Sequence, residues 1–168
     1  RREKLFQILN EVLIKGASPQ SLQLHQDAKK TDYSDATYLK KTKILVAEDD
    51  IHSQKLMQIV LRKEGFNVTM VSNGREAVDA IMSTPHYYDL IFLDVEMPVL
   101  NGKDACRMIR KINVSLPVIA LTAHAMKEQQ DECFAAGMND YLTKPLTKDT
   151  LMMMIDKYLK DKPISQNP

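Results

Sequence analysis

The sequence predicts an α/β fold, in which a five-stranded parallel sheet carries helices on both faces. Short apolar runs alternate along residues 43–160 with stretches where apolar residues recur every three or four positions, as on one face of a helix. Two of the runs, LIFL at 90–93 and VIAL at 118–121, are apolar throughout. Strands of this kind are covered on both faces, which is typical of parallel sheets with right-handed crossover connections.

Each predicted strand is followed by one helix, which makes five βα units. The predicted strands are residues 43–48, 68–71, 89–94, 118–122 and 140–144. The first predicted helix carries Leu56, Ile59 and Val60 before a turn at Gly65, the second opens at Asn73-Gly74 and includes Ile81, and the third follows Asn101-Gly102 and includes Ile112. The fourth covers roughly 126–136 and closes at Gly137, and the last carries Leu151, Met154, Ile155 and Tyr158 up to about Lys160. Only Met154 of three consecutive methionines falls on the apolar stripe of the last helix, so we expect Met152 or Met153 at the surface.

Two further segments flank the predicted domain. Residues 5–13 place apolar side chains on one helical face, and Gly16 followed by Pro19 would end such a helix, so we expect an amphipathic N-terminal helix. Residues 17–42 are mostly polar, which is typical of a linker. The expected division is an N-terminal helix and linker (1–42), the domain (43–160) and a flexible tail (161–168). Because the sequence starts at Arg1 instead of Met, we also expect a fragment of a longer chain.

Composition narrows the classes of partner. The chain has 23 basic and 22 acidic residues and a net charge of +1, so its bulk charge does not favour a nucleic-acid partner or an anionic membrane. No apolar stretch is long enough to span a bilayer, so we expect no direct membrane contact, although the parent chain could be membrane-anchored. Cys106 and Cys133 lack CxxC spacing, so we expect reduced thiols in a cytoplasmic setting.

Polar side chains follow four of the apolar runs, at the points where the predicted strands end. They are Glu48, Asp49 and Asp50 after the first strand, Asp94 after the third, Thr122 after the fourth and Lys144 after the fifth. The downstream ends of parallel strands meet at one edge of the sheet, which is where open α/β sheets bind ligands. We therefore expect these side chains to share one pocket.

This combination of groups points to phosphoryl chemistry. Carboxylates gathered in one pocket repel one another, so they either share a proton or hold a hard cation. Oxygen ligands suit Mg²⁺, and no Cys or His stands at the spacing of a zinc site. A cation and a lysine would neutralise phosphoryl oxygens while the Asp94 carboxylate attacks the phosphorus in line.

Four motifs in order make the chain resemble a known family. They are KILVAEDD (43–50), LIFLDVEMPVLNG (90–102), VIALTAHA (118–125) and DYLTKPL (140–146), and they resemble the receiver domains of two-component response regulators and hybrid histidine kinases. The resemblance covers residues 43 to about 160. It implies a flavodoxin-like doubly wound sheet with strand order 2-1-3-4-5.

The resemblance also implies a role for each acidic residue. Asp94 matches the phosphoacceptor, which takes its phosphoryl group from a phosphohistidine. Asp49 would bind Mg²⁺ directly and Glu48 through water, with the backbone carbonyl of Glu96 as a further ligand. A pair formed by Asp49 and Asp50 is disfavoured, because it shifts the register of the first strand and because Asp50 suits the N-cap of the following helix.

Further positions match the machinery that responds to phosphorylation. Thr122 matches the hydroxyl that binds a phosphoryl oxygen, and Lys144 matches the lysine that pairs with the phosphoryl group, followed by a cis bond to Pro145. Tyr141 matches an aromatic switch residue whose ring turns inward as Thr122 moves. Glu96 and His124 match the two positions that tune hydrolysis of the phosphoryl group.

We interpret the chain as a phosphoacceptor with slow self-dephosphorylation instead of a dedicated enzyme. The preceding linker favours the C-terminal receiver of a hybrid histidine kinase, whose partner would be the histidine-bearing helices of a kinase or a separate histidine phosphotransfer domain. A stand-alone regulator, a non-phosphorylated binding module on the same scaffold and a homodimer remain alternatives. A phosphatase of the haloacid dehalogenase type is disfavoured, since residues 94–98 lack its DxDGT motif.

Overall fold

The computed structural model describes residues 42–124 and 126–159. Its strands are β1 (Lys43–Ala47), β2 (Asn67–Val71), β3 (Leu90–Asp94), β4 (Val118–Thr122) and β5 (Asp140–Thr143). Its helices are α1 (Ile51–Lys63), α2 (Gly74–Ser83), α3 (Gly102–Ile112), α4 (Lys127–Ala135) and α5 (Lys148–Leu159). The five predicted βα units are therefore confirmed, with bounds that differ from the predicted ones by a residue or two at most of the ends.

All five strands form one parallel sheet in the order β2-β1-β3-β4-β5. This is the order that the resemblance implied. The three central strands are fully covered: residues 44–47, 90–93 and 118–121 have no exposed surface. Continuous apolar runs form these strands because helices lie on both sides of each of them.

Alternate residues of the central strands feed two separate cores, one on each face of the sheet. On one face, Leu45, Ile91 and Ala120 pack with buried side chains of α2, α3 and α4. On the other face, Phe92 and Leu121 pack with buried side chains of α1 and α5. The period-two alternation of side chains along each strand thus produces the doubly wound layering of the fold.

Four helices begin with an N-cap side chain that accepts a backbone N–H of the first turn. Asp50 caps α1 by accepting from the Ser53 N–H at 2.8 Å, Asn73 caps α2, Asn101 caps α3, and Thr147 caps α5 by accepting from the Thr150 N–H at 3.2 Å. The first of these confirms the predicted cap and leaves Glu48 and Asp49 as the acidic pair nearest the sheet.

Several smaller sequence predictions are confirmed, and others lie outside the described residues. The Lys144-Pro145 bond is cis, as expected, and Met153 is exposed while Met154 is buried. Cys106 and Cys133 are buried free thiols. The predicted N-terminal helix, linker and tail lie outside the described residues. No helix in the described part of the chain is both long and apolar enough to cross a membrane.

Candidate functional site

Backbone hydrogen bonds continue past the strand ends and hold the site residues in place. The Glu48 N–H donates to the Val71 carbonyl at 3.1 Å, and the Lys144 N–H donates to the Thr122 carbonyl at 2.8 Å. The residue after Asp94 is held in the same way, since the Val95 N–H donates to the Leu121 carbonyl. The backbone at Glu48, at Lys144 and directly after Asp94 is therefore hydrogen-bonded to neighbouring strands.

Three carboxylates meet at this edge of the sheet. One ligand oxygen from each of Glu48, Asp49 and Asp94 lies within 4.8 Å of the others. Glu48 is fully buried and Asp94 is 4% exposed, while Asp49 faces solvent. The structure thus brings together the three acidic side chains that were predicted as metal ligands.

Lys144 joins two of these carboxylates. Its Nζ lies 2.5 Å from Asp94 Oδ2 and donates to Glu48 Oε1 at 3.0 Å. The other oxygen of this carboxylate, Asp94 Oδ1, accepts the backbone N–H of Glu96 at 3.0 Å. Both oxygens of Asp94 are therefore held in position, one by an ammonium and one by a backbone amide.

The cluster holds more carboxylates than cationic side chains. With all three carboxylates ionised, the single Lys144 ammonium would leave two negative charges in a partly buried space. Burial raises the pKa of Glu48 from 4.5 to about 7. The hydrogen bond from Lys144 lowers this pKa, and the negative charge of Asp94 raises it further. Burial opposes the charge on Lys144, but its hydrogen bonds with Asp94 and Glu48 outweigh burial and raise its pKa.

The residues present fit a divalent cation. Glu48 Oε2 is fully buried and forms an ion pair with Lys144 Nζ at 2.8 Å, but it accepts no hydrogen bond of good geometry. The same ammonium also serves Glu48 Oε1 and Asp94 Oδ2, so the buried Oε2 can take a further ligand. A hard cation of charge +2 would satisfy it and balance the residual charge of the cluster.

The loop from β3 to α3 is packed tightly behind Asp94. A Cβ at Gly102 would lie 2.0 Å from the carbonyl oxygen of Asp94, and a Cβ at Gly74 would lie 2.2 Å from that of Leu100. In the loop that precedes Gly102, Val99 has φ = 69° and is 81% exposed. Left-handed backbone is unfavourable for a β-branched residue, so the packing of its neighbours holds the loop in this shape.

Thr122 is at the site, but its hydroxyl is engaged elsewhere. Its side chain is 5% exposed and its Oγ1 lies 3.1 Å from the His124 carbonyl oxygen and 3.3 Å from Gln129 Oε1 in the first turn of α4. The His124 N–H also donates to Oγ1 at 3.1 Å. No motif pointed to Gln129, because it lies seven residues beyond Thr122 on a helix with a weak apolar pattern.

The remaining predicted positions surround this arrangement. Tyr141 is half-buried on β5, and its ring meets that of Phe134 edge-on, with the centroids 6.3 Å apart. Glu96 and His124 are exposed. Their roles as switch and hydrolysis-tuning residues stay predictions.

A cleft of about 530 Å³ opens beside the acidic cluster. It runs between the loop after β3 and the starts of α3 and α4, and its lining includes Asp49, Glu96, Lys103 and Gln129. The cleft is wide enough to admit a small phosphorylated group to the side of the cluster that faces solvent.

The fold and this site match one protein family. The model of the response regulator receiver domain matches residues 44–156, and the chain belongs to that family. It is thus a receiver domain of two-component signalling, similar both to the receivers of hybrid histidine kinases and to those of response regulators.

Three known proteins show the extent of the similarity. Hybrid signal transduction histidine kinase I of Dictyostelium discoideum is 37% identical over 130 residues, which is 71% of this chain and 8% of that kinase. The receiver domain of a Pseudomonas aeruginosa sensor histidine kinase, solved with a magnesium ion in its active site cleft, has a TM-score of 0.65 at 37% identity, covering 70% of this chain and 96% of that one. A Saccharomyces cerevisiae receiver domain, solved with a histidine phosphotransfer protein, has a TM-score of 0.65 at 29% identity, covering 71% and 90%.

The chain spans less than a fifth of the length of the first five curated relatives that it matches. The activities of those whole proteins therefore do not transfer with the similarity.

Proposed function

We propose that Asp94 accepts a phosphoryl group from a phosphohistidine and that the domain responds by changing its conformation and its partner binding. The observation that carries the proposal is the pairing at Asp94: an almost buried carboxylate held at one oxygen by Lys144 and at the other by the Glu96 amide. A carboxylate that is merely structural needs no open cleft and no adjacent acidic pair.

The chain's own residues are arranged for the transfer. An oxygen of Asp94 forms a bond to phosphorus as the P–N bond of the phosphohistidine breaks, and the electron pair of that bond returns to the imidazole nitrogen. Lys144 lies close enough to Asp94 to pair with the phosphoryl oxygens after transfer. Thr122 would supply a hydroxyl donor to another of these oxygens once it leaves its present partners.

Glu48, Asp49 and Asp94 would hold a Mg²⁺ ion, together with the backbone carbonyl of Glu96. When bound, Mg²⁺ supplies positive charge that offsets the negative charge of the phosphoryl group. Support comes from the clustering of the three carboxylates and from the buried Glu48 Oε2, which accepts no hydrogen bond of good geometry and shares the Lys144 ammonium with two other carboxylate oxygens.

We further propose that this receiver belongs to a hybrid histidine kinase in the cytoplasm. The similarity to receivers of hybrid kinases supports that setting. The phosphodonor would be the histidine-bearing helices of a kinase or a histidine phosphotransfer domain, and the yeast complex supports the second.

The test of the proposed function is the intact mass of the chain after incubation with Mg²⁺ and acetyl phosphate. We expect one base-labile phosphate on the native chain and none on Asp94→Ala. Asp104→Ala is the matched control, because Asp104 is an exposed carboxylate on α3 whose removal should leave uptake unchanged.

Equal labelling of native chain and Asp94→Ala would show that Asp94 is not the acceptor. If the native chain takes no phosphate from acetyl phosphate or from a phosphorylated histidine phosphotransfer domain, although it binds Mg²⁺, the domain is a binding module and the proposed function is wrong.

A further inference from the structure

Gln129 lies where it can govern the movement of Thr122. Its Oε1 is 3.3 Å from Thr122 Oγ1, so the first turn of α4 is joined directly to the end of β4. Gln129 is half-buried and also lines the cleft beside Asp49 and Glu96. The contact thus lies between the acidic cluster and the helix that follows Thr122.

The hydroxyl of Thr122 has a single proton to donate. In this structure the Gln129 amide oxygen and the His124 carbonyl oxygen are its acceptors, and neither belongs to the acidic cluster. A phosphoryl oxygen on Asp94 would have to take the same proton. The Thr122 hydroxyl therefore cannot serve Gln129 and the phosphoryl group at the same time.

Helix α4 buries little of its surface. Cys133 is the one buried residue between Lys127 and Ala135, and the contacts of Glu132 with Lys103 and of Phe134 with Tyr141 involve largely exposed or half-buried side chains nearer the end of the helix. Within the described residues, the Met126 side chain gives the helix no capping hydrogen bond, whereas α1, α2 and α3 each have one. The hydrogen bond to Thr122 therefore joins a thinly packed first turn of α4 directly to the end of β4.

We propose that Gln129 is a positioning residue that holds the Thr122 hydroxyl away from Asp94 in the unphosphorylated domain. The phosphoryl group competes with Gln129 for this hydroxyl. When the hydroxyl donates to a phosphoryl oxygen, its hydrogen bond to Gln129 is lost and α4 is released from the end of β4. The inference rests on the proposed function, since it assumes a phosphoryl group on Asp94. It adds a residue outside the four motifs to the path between Asp94 and the surface.

The test measures the apparent affinity for beryllofluoride, a phosphoryl analogue, in the presence of Mg²⁺ by titration calorimetry. Gln129→Leu keeps most of the side-chain volume but has no hydrogen-bonding atom, so Thr122 is freer to turn. A net hydrogen bond contributes enough to predict about 2- to 10-fold tighter binding. Glu128→Leu, an exposed neighbour in the same turn, is the matched control and should leave the affinity unchanged.

A double-mutant cycle separates positioning from a general effect on α4. Thr122→Val removes the hydroxyl and keeps the shape of the side chain. Adding Gln129→Leu to Thr122→Val should then leave the affinity unchanged, because the hydrogen bond that Gln129 accepts no longer exists. A gain of the same size in both backgrounds would overturn the proposal, and so would equal affinities of the native chain and Gln129→Leu.

Phosphate uptake and beryllofluoride binding by the native chain distinguish this proposal from the proposed function on which it rests. If it takes up phosphate on Asp94 but Gln129→Leu binds beryllofluoride with native affinity, only the role of Gln129 is wrong. If the native chain neither takes up phosphate nor binds beryllofluoride with Mg²⁺, the proposed function fails and the role of Gln129 fails with it.

Discussion

Helices α3 and α4 lie on the same face of the sheet and begin beside the same site, yet they are held very differently. Helix α3 has four buried residues, an Asn101 cap and a start pressed against Asp94. Its Arg110 also donates to three carbonyls and to the Asn139 side chain in neighbouring loops. Helix α4 has one buried residue, and Phe134 on it is 46% exposed.

The difference separates the parts of the site that must stay still from those that can move. Phosphoryl transfer needs Asp94 and Lys144 in place before the donor arrives, and the α3 side supplies a rigid support for Asp94. Signalling needs an element whose position depends on the state of Asp94. A helix with little buried surface moves at low cost, and α4 meets this condition.

The largest effect should come from Gly102→Ala, which attacks the α3 side. The added methyl would lie 2.0 Å from the Asp94 carbonyl oxygen, a clash with backbone that no side-chain rotation relieves. We expect a loss of at least about 3 kcal/mol in the free energy of unfolding, measured with urea. Phosphoryl uptake should fall as well, because the acceptor is displaced.

Lys111→Ala is the control for Gly102→Ala, since it places alanine at an exposed position of the same helix. Its stability should stay within about 0.5 kcal/mol of the native value. A Gly102→Ala chain with native stability would show that the start of α3 adapts easily and would remove the contrast with α4.

Truncating one apolar side chain on each helix should have a smaller effect on stability, and the cost should differ between α3 and α4. Ile109 on α3 is fully buried, so Ile109→Val should cost about 1 kcal/mol in the free energy of unfolding. Phe134→Leu on α4 should cost less than about 0.5 kcal/mol, because nearly half of Phe134 is exposed and leucine keeps much of its apolar volume. Equal losses in urea denaturation would mean that α4 is packed as firmly as α3.

The last effect, of a different kind, should be a change in proton binding at Glu48. The pKa of Glu48 near 7 in the folded chain is above its ordinary value of 4.5, so the folded state keeps a proton that the unfolded chain releases between these values. The stabilisation from this group is complete below the lower value and is lost as the pH rises through the upper one. A bound Mg²⁺ would favour the ionised form of the Glu48 carboxylate, so binding should release protons at about pH 6 and almost none above about pH 8.

Titration calorimetry in buffers of different ionisation enthalpy measures this proton release. Glu48→Gln cannot titrate and should show no pH-dependent release, although its affinity for Mg²⁺ will be lower. Release of the same size from Glu48→Gln would assign the proton to another group.

The sequence predicted the fold and the site to different depths. Strands such as LIFL and VIAL were predictable because burial on both faces demands apolar residues at every position. The gathering of Glu48, Asp94 and Lys144 followed from strand ends and motif order. The N-cap role of Asp50 was predictable because capping is a local interaction.

Interactions between distant parts of the chain were not predictable. The engagement of Thr122 by Gln129 depends on the angle at which α4 leaves the sheet, and the four hydrogen bonds of Arg110 depend on loops that meet only in the folded state. The left-handed conformation of Val99 contradicts the preference of valine, so the packing of its neighbours decides it.

Amide hydrogen exchange, measured with and without Mg²⁺ and beryllofluoride, tests the contrast between the two helices most directly. We expect the analogue to change protection in residues 126–135 of the native chain and to leave residues 102–112 as they were. In Asp94→Asn, which cannot hold the analogue in the native way, neither segment should change. Parallel changes in both helices of the native chain, or a change at 126–135 that persists in Asp94→Asn, would contradict the account.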